Sequence, residues 1–188
     1  YIALLLLVIK NNESMAQIVI FTSCAIGCVL LSTIAADFIA KPLVERWRPS
    51  SDPLIKYAVD VVDDYRPGKY GFFSAHAANT FSLALYFSLW VKNRLFSFAM
   101  ISWSLLNCYS RIYLGAHYPS DVVVGLLVGA VIAVLFYLLS RKLFFKISSN
   151  FNYVSTQYSA TGYSVTDIDM VLTVIGFLYI LIIIIPLL

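Results

Sequence analysis

The sequence has few charged residues for its length. Only 12% of its 188 residues are Asp, Glu, Lys or Arg, whereas about 25% are charged in an ordinary soluble domain. Hydrophobic residues make up 61% of the chain, and the mean hydropathy is +0.84. Ten acids and thirteen bases cannot cover the surface of a soluble globule, and so apolar a chain lacks the composition of a disordered one. The composition therefore predicts a single domain, residues 1–188, embedded in a membrane.

Metal-binding and disulfide patterns are also lacking. The three cysteines, Cys24, Cys28 and Cys108, lie in apolar runs and have neither metal-ligand nor disulfide-framework spacing. The net charge is only +3, and no basic stretch is long enough to follow a phosphate backbone. We therefore expect no metal, no cofactor and no nucleic-acid partner, and the oligomeric state stays open.

Six apolar runs divide the chain. They cover residues 1–9, 15–40, 77–91, 95–109, 122–139 and 170–188. A membrane-spanning helix needs about 20 mainly apolar residues, so the third and fourth runs span only if residues 72–76 and 110–113 extend them. The first run begins directly at Tyr1, without a Met, and we expect native sequence to precede it. The predicted fold class is all-α, an integral-membrane helical bundle of about six transmembrane helices with the first one incomplete.

The polar connections alternate between two membrane faces if each run crosses once. The connections at Lys10, residues 92–94 and residues 141–146 then share one face, and residues 41–70 and 111–121 share the other. The short turns of the first group contain bases and almost no acids, whereas the second group mixes bases with Asp. We expect that face to be cytoplasmic.

Residues 110–121 hold the strongest chemical signal. Pro119 predicts the start of a helix, which puts His117 just outside it and Asp121 in its first turn. A carboxylate there can bind one ring nitrogen of His117 and leave the other free as a nucleophile or base. The alternative is a surface histidine, with Asp121 merely capping the helix.

A second histidine precedes the third run, on the same predicted face. It belongs to the segment Phe73-Ser74-Ala75-His76. The alternative role for Ser74 is simply to cap the following helix. Two histidines on one face support a shared site without proving it.

A basic segment ends the second run. Lys41 closes the run, and Arg48 follows seven residues later. Basic residues beside Trp47 alternatively anchor the chain at the membrane interface. We interpret Glu45 and Arg46 as a solvated pair.

Together these segments suit a phosphate group. Lys41, Arg48 and Arg111 can neutralise its oxygens and the charge of an in-line transfer. One histidine can attack phosphorus while the other protonates the leaving alkoxide. A solvated loop is favoured over a cation site for three further acids: Asp60, Asp63 and Asp64.

The motif order resembles the type-2 phosphatidic acid phosphatase family of membrane lipid phosphatases, whose soluble relatives include acid phosphatases and vanadium haloperoxidases. The three motifs are Lys-x6-Arg-Pro, Ser-x-His and Ser-Arg-x5-His-x3-Asp, within residues 41–121. The second motif usually reads Pro-Ser-Gly-His, and here Phe73 and Ala75 replace its Pro and Gly. The resemblance implies a six-helix bundle with a metal-independent phosphohistidine mechanism.

The resemblance also implies a role for each matching residue. His117 would be the nucleophile, oriented by Asp121. His76 would be the general acid and later the base for water. The phosphate-binding residues would be Lys41, Arg48, Ser74, Ala75 through its N–H, and Arg111.

The resemblance leaves the lipid phosphate open. Residues 70–74 and 76–80 resemble bacterial members often called undecaprenyl-diphosphatase-like, so undecaprenyl diphosphate is expected first and lipid A phosphate second. Phosphatidylglycerol phosphate and phosphatidate also fit. The non-enzymatic alternative is a transporter or lipid-binding assembly subunit, although the paired broken segments typical of transporters are not seen. The expected location is a bacterial inner membrane, with the site on the periplasmic or extracellular side.

Overall fold

The structure is a computed structural model that describes residues 1–12, 14–59, 61–62, 65–147, 157–159 and 161–185. These residues form six helices, and their only β-pairing is two isolated bridges. The helices are α1 (Ile2–Lys10), α2 (Met15–Val44), α3 (Ala75–Val91), α4 (Arg94–Tyr113), α5 (Pro119–Ile147) and α6 (Val165–Ile184). The predicted all-helical bundle is confirmed. The acids Asp60, Asp63 and Asp64 lie outside the described residues.

Three of the helices, α2, α5 and α6, are long and apolar enough to cross a membrane. The nine residues of α1 and the 17 of α3 fall short of the length required. Helix α4 has 20 residues but carries several Ser, Asn and Arg side chains. Of the two extensions that spanning requires, the one over residues 110–113 is present in α4, whereas α3 does not include residues 72–74. The start of α3 at Ala75 adds His76 to the third apolar run.

Helix α2 changes its winding towards the site. It begins with a capping box, in which Ser14 and Gln17 satisfy each other's backbone N–H groups. It is α-helical to Thr33, π-helical over Ile34–Ala40 and α-helical again over Lys41–Val44. Lys41 was predicted to close this helix, but it lies one turn before the end.

Two glycines let α3 and α5 approach almost to backbone contact. A Cβ atom at Gly125 would lie 2.6 Å from the Ser74 carbonyl oxygen, and one at Gly129 would lie 2.6 Å from the Ala78 carbonyl oxygen. The Ser74 N–H donates to the Asp121 carbonyl oxygen at 3.1 Å. The N-terminal ends of α3 and α5 are therefore held side by side, and they carry the two histidine motifs.

The connections after α1, after α3 and before α6 lie at the opposite end of the bundle. Lys10 at the end of α1 pairs with Asp167 at the start of α6, with 3.1 Å between nitrogen and oxygen. The Thr161 hydroxyl donates to the Trp90 carbonyl oxygen near the end of α3. The predicted alternation of connections between two ends is confirmed.

Candidate active site

His117 lies in the turn between α4 and α5 and is buried, with 3% of its surface exposed. Its Nε2 atom is 3.2 Å from Nη1 of Arg48. Arginine only donates hydrogen bonds, so Nε2 accepts and the ring proton belongs on Nδ1. Burial, followed by the positive charges of Arg48 and Lys41, lowers the pKa of His117 to about 3. The ring is therefore neutral and Nε2 is unprotonated, which is the form that a nucleophile needs once the Arg48 hydrogen bond moves away.

Asp121 faces the other side of the same ring. Its carboxylate is fully buried, and Oδ2 lies 3.9 Å from Nδ1 of His117. That separation is longer than a hydrogen bond. Nδ1 makes no hydrogen bond of ordinary geometry to the described residues, although the Gly71 backbone lies close enough to act on the ring. Oδ2 instead accepts the Tyr118 N–H at 3.0 Å. The structure thus brings Asp121 to the predicted nitrogen without a direct hydrogen bond between them.

Arg46 is the partner of Asp121 that the sequence did not reveal. Its Nη1 atom donates to Oδ1 of Asp121 at 2.8 Å and to the Ser120 hydroxyl at 2.8 Å. Its guanidinium also lies 4.4 Å from the centre of the Tyr118 ring. The interpretation of Glu45 and Arg46 as a solvated pair is therefore wrong for Arg46, because a buried carboxylate attracts a cation from 75 residues away.

Gly71 and Arg48 pack tightly around the His117 ring. A Cβ atom at Gly71 would lie 2.9 Å from Cγ of Arg48 and 3.5 Å from Nδ1 of His117. Arg48 is fixed further by bonds to the carbonyl oxygens of Tyr70 and Ala116, each at 3.1 Å. A side chain at Gly71 would displace Arg48, so this glycine belongs to the site although no motif indicated it.

The start of α3 supplies the second motif. Ser74 is buried and caps the helix, with its Oγ accepting the Ala77 N–H at 3.4 Å. The methyl group of Ala75 packs in a small apolar cluster with Ala36 and Phe73. The extra Cβ relative to Gly is thereby accommodated, while the first-turn N–H groups point along the helix axis, where an anion is stabilised. The capping role of Ser74 is confirmed, and its binding of phosphate stays a prediction.

The charges of all three predicted cations act on His76, and those of Arg48 and Lys41 also act on His117. Arg111, Lys41 and Arg48 are the positive groups whose charges act on the exposed ring of His76. Nε of Arg111 donates to the neighbouring Ser110 hydroxyl at 3.2 Å.

Lys41 also has an acidic neighbour that was missed, since Asp37 forms an ion pair with it one turn earlier in α2. The i, i+4 spacing of the two was the available signal. Within the described part of the chain, no three His, Cys, Asp or Glu residues could together hold a metal ion.

Comparison with known proteins finds a family match and several relatives of this chain. The family model described as PAP2 superfamily matches residues 21–145. Lipid A 4'-phosphatase of Bacteroides thetaiotaomicron is 33% identical over 151 residues, which cover 80% of this chain and 67% of that protein. Lipid A 4'-phosphatase of Porphyromonas gingivalis is 40% identical over 111 residues, covering 57% of this chain and 47% of that protein.

A more distant relative comes from a mammal. Sphingosine-1-phosphate phosphatase 1 of Rattus norvegicus is 33% identical over 94 residues, which cover 49% of this chain and 22% of that protein. No solved structure matches the chain. The family match includes all three motifs and both histidines. With its apolar, membrane-length helices, the chain belongs to the PAP2 superfamily and is a membrane phosphatase of that family.

Proposed function

We propose that this phosphatase hydrolyses a phosphate monoester of lipid A and releases inorganic phosphate. Two relatives with the name lipid A 4'-phosphatase support this substrate, and one of them aligns with 80% of the chain. The sequence alone put undecaprenyl diphosphate first and lipid A second, and the names of these relatives reverse that order. Undecaprenyl diphosphate remains the second candidate, because the residues around His76 favour it.

The observation that carries the proposed chemistry is the neutral, buried ring of His117 against Arg48. In the first step Nε2 attacks phosphorus, the P–N bond forms, and the bond from phosphorus to the lipid oxygen breaks. Burial and then the charge of Arg111 lower the pKa of His76 in the free enzyme, so His76 binds its proton together with the negatively charged phosphate and gives it to that oxygen. Arg48 moves its hydrogen bond from Nε2 to a phosphate oxygen, while Lys41 and Arg111 neutralise the charge of the transition state.

The second step returns the enzyme to its starting state. Phosphorylation of Nε2 leaves the ring cationic with its proton on Nδ1, on the side of the Asp121 carboxylate. Arg46 holds that carboxylate in place and is assigned as a positioning residue. His76, now neutral, takes a proton from water as the water oxygen attacks phosphorus. The P–N bond breaks and inorganic phosphate leaves.

A panel of lipid phosphates tests the substrate. The purified chain is incubated in EDTA with lipid A, undecaprenyl diphosphate and phosphatidate, and phosphate release is measured. We expect lipid A to have the highest kcat/KM, with no loss in EDTA. His117→Ala should be inactive, whereas Lys142→Ala, an exposed cation near the far end of α5, should match the wild type.

Each outcome of the panel has a distinct meaning. A higher kcat/KM for undecaprenyl diphosphate would replace the substrate and keep the enzyme. Activity that EDTA abolishes and Mg²⁺ restores would refute the metal-free mechanism. Turnover by His117→Ala would refute the phosphohistidine.

We also propose that the site faces the periplasm of a bacterial inner membrane. The support is the opposite end of the bundle, where the bases near Lys92 and at residues 141–146 outnumber the acids and only Lys10 is shown paired, with Asp167. In a chain without its native cysteines, an impermeant thiol reagent applied from outside should label Arg66→Cys and spare Asn93→Cys. The reverse labelling would place the site on the cytoplasmic face.

A further inference from the structure

An open groove of about 610 Å³ adjoins the candidate active site. Its lining residues are Asp37, Lys41, Pro42, Glu45, Arg48, Gly68, Lys69 and Tyr70. The volume is within the roughly 300–1,000 Å³ of small-molecule sites. Lys41 and Arg48 belong both to this groove and to the proposed phosphate site. When a phosphate binds to Lys41 and Arg48, the part of the substrate next to that phosphate therefore lies in the groove.

The wall of the groove carries acids as well as bases. Asp37 is held at the wall by its ion pair with Lys41, and Glu45 stands at the end of α2. Carboxylates accept hydrogen bonds from hydroxyl groups, but they repel a second phosphate at short range. Lys69 adds donors, and the Tyr70 ring adds an apolar face. The lining thus holds three bases and two acids, which suits a phosphate whose attached neutral group donates hydrogen bonds to the acids.

Glu45 occupies a backbone conformation that its side chain does not favour. Its φ is 47°, in the left-handed region, and its N–H donates to the Lys41 carbonyl oxygen at 3.1 Å. Glycine or asparagine usually fills this position after a helix. Side chains kept in such conformations concentrate at ligand-binding sites. The groove offers a reason for a carboxylate here, because Glu45 lines it.

We propose that this groove binds the sugar ring that carries the phosphate, with the carboxylates of Glu45 and Asp37 accepting hydrogen bonds from its hydroxyl and amide N–H groups. The enzyme then selects a sugar phosphate monoester over a diphosphate. This inference rests on the proposed function and names the residues that determine its specificity. The carboxylate of Glu45 is the test residue, because it lies outside the phosphate-binding set.

Binding of soluble probes tests the groove without any turnover. The detergent-solubilised His117→Ala chain, which cannot turn over a phosphate ester in the proposed mechanism, is titrated calorimetrically with N-acetylglucosamine 4-phosphate, inorganic phosphate and pyrophosphate, and the variants below are made in the same background. We expect the sugar phosphate to bind at least tenfold more tightly than either other probe, the effect of roughly one hydrogen bond to a charged group. Glu45→Gln should remove most of this preference. Asp169→Asn, an exposed acid on α6, should retain it.

A second variant separates the side chain from the fold. Glu45→Gly relieves the left-handed conformation, so we expect a higher thermal midpoint together with loss of the sugar preference. A Glu45→Gly or Glu45→Gln chain that keeps the tenfold preference would overturn the proposal, as would tighter binding of pyrophosphate by the His117→Ala chain with Glu45 intact. The preference of kcat/KM for lipid A over phosphatidate should fall by the same factor.

The sugar-binding groove and the proposed phosphatase function can be refuted separately. If lipid A is hydrolysed but Glu45→Gln leaves the preference unchanged, the groove is refuted and the proposed function stands. If the sugar phosphate is selected but no lipid phosphate is hydrolysed, the proposed function is refuted and the groove stands.

Discussion

Replacing Gly125 by alanine is expected to push α3 and α5 apart at the catalytic end. The new Cβ would lie 2.6 Å from the Ser74 carbonyl oxygen and 3.0 Å from the Ala77 Cβ. Non-bonded heavy atoms prefer about 3.5–4.0 Å, so the backbones must separate by about 1 Å. Neither of these two neighbouring atoms is the end of a flexible side chain, so a rotamer change cannot relieve the strain. The start of α3, with His76, then moves away from His117.

The expected magnitude follows from two opposing effects. Overpacking costs about 1–3 kcal/mol, while the better helix propensity of alanine over glycine returns about 1 kcal/mol. At Gly176 in α6 no neighbouring atom of the described residues lies within 4 Å of the added Cβ, so only the propensity gain applies there. Gly125→Ala should therefore be less stable than Gly176→Ala by about 1–3 kcal/mol, at roughly 2–4 °C of thermal midpoint per kcal/mol.

Activity separates the catalytic consequence from the structural one. A misplacement of about 1 Å can cost on the order of 100-fold in rate. Gly129→Ala makes an equally short contact, 2.6 Å to the Ala78 carbonyl oxygen, but one helical turn farther from the site. We expect both variants to lose stability and Gly125→Ala to lose far more kcat in a phosphate-release assay. Equal kcat values for Gly125→Ala and Gly176→Ala would refute the close α3–α5 contact as the feature that aligns the histidines.

Two further predictions concern the surroundings of His117. Arg46→Met should lower kcat about 10- to 100-fold with little change in KM, because one charge-assisted hydrogen bond to Asp121 is lost. Arg46→Lys should recover part of the lost kcat. Steady-state kinetics in which KM changes instead of kcat would contradict a positioning role. Because the pKa of His117 is about 3, its ring should stay neutral as the pH falls from 8 to 5, whereas an ordinary histidine gains its proton near pH 6.5. NMR of the ring nitrogens, assigned with His76→Ala, should show no titration of His117 in that range, and a midpoint near 6.5 would contradict the buried setting.

Much of the fold was readable because apolar runs and end signals are local features. Pro119 does begin α5, and Ser74 does cap α3. Residues of all three motifs meet at one end because short connections force neighbouring helices to alternate in direction. The π-helical stretch Ile34–Ala40 was not predicted, since no local sequence signal distinguishes it from an α-helix.

The missed parts of the site depend on contacts between distant residues. Arg46 pairs with Asp121 across 75 positions, and only the folded chain reveals that the carboxylate is buried. Gly71 is needed because Arg48 and His117 approach its Cα, which sequence spacing cannot show. By contrast, the pairing of Asp37 with Lys41 was within reach, because residues four apart on a helix are neighbours.

The central claim is that His117 forms a covalent bond to phosphorus. The direct test is to mix the enzyme with lipid A carrying ³²P at its phosphates, quench with base within one turnover, and map the protein-bound label. The label should be stable to base, labile to acid and located on His117 in the wild type, and it should vanish in His117→Ala. Label trapped on His76, or retained in His117→Ala, would contradict the account.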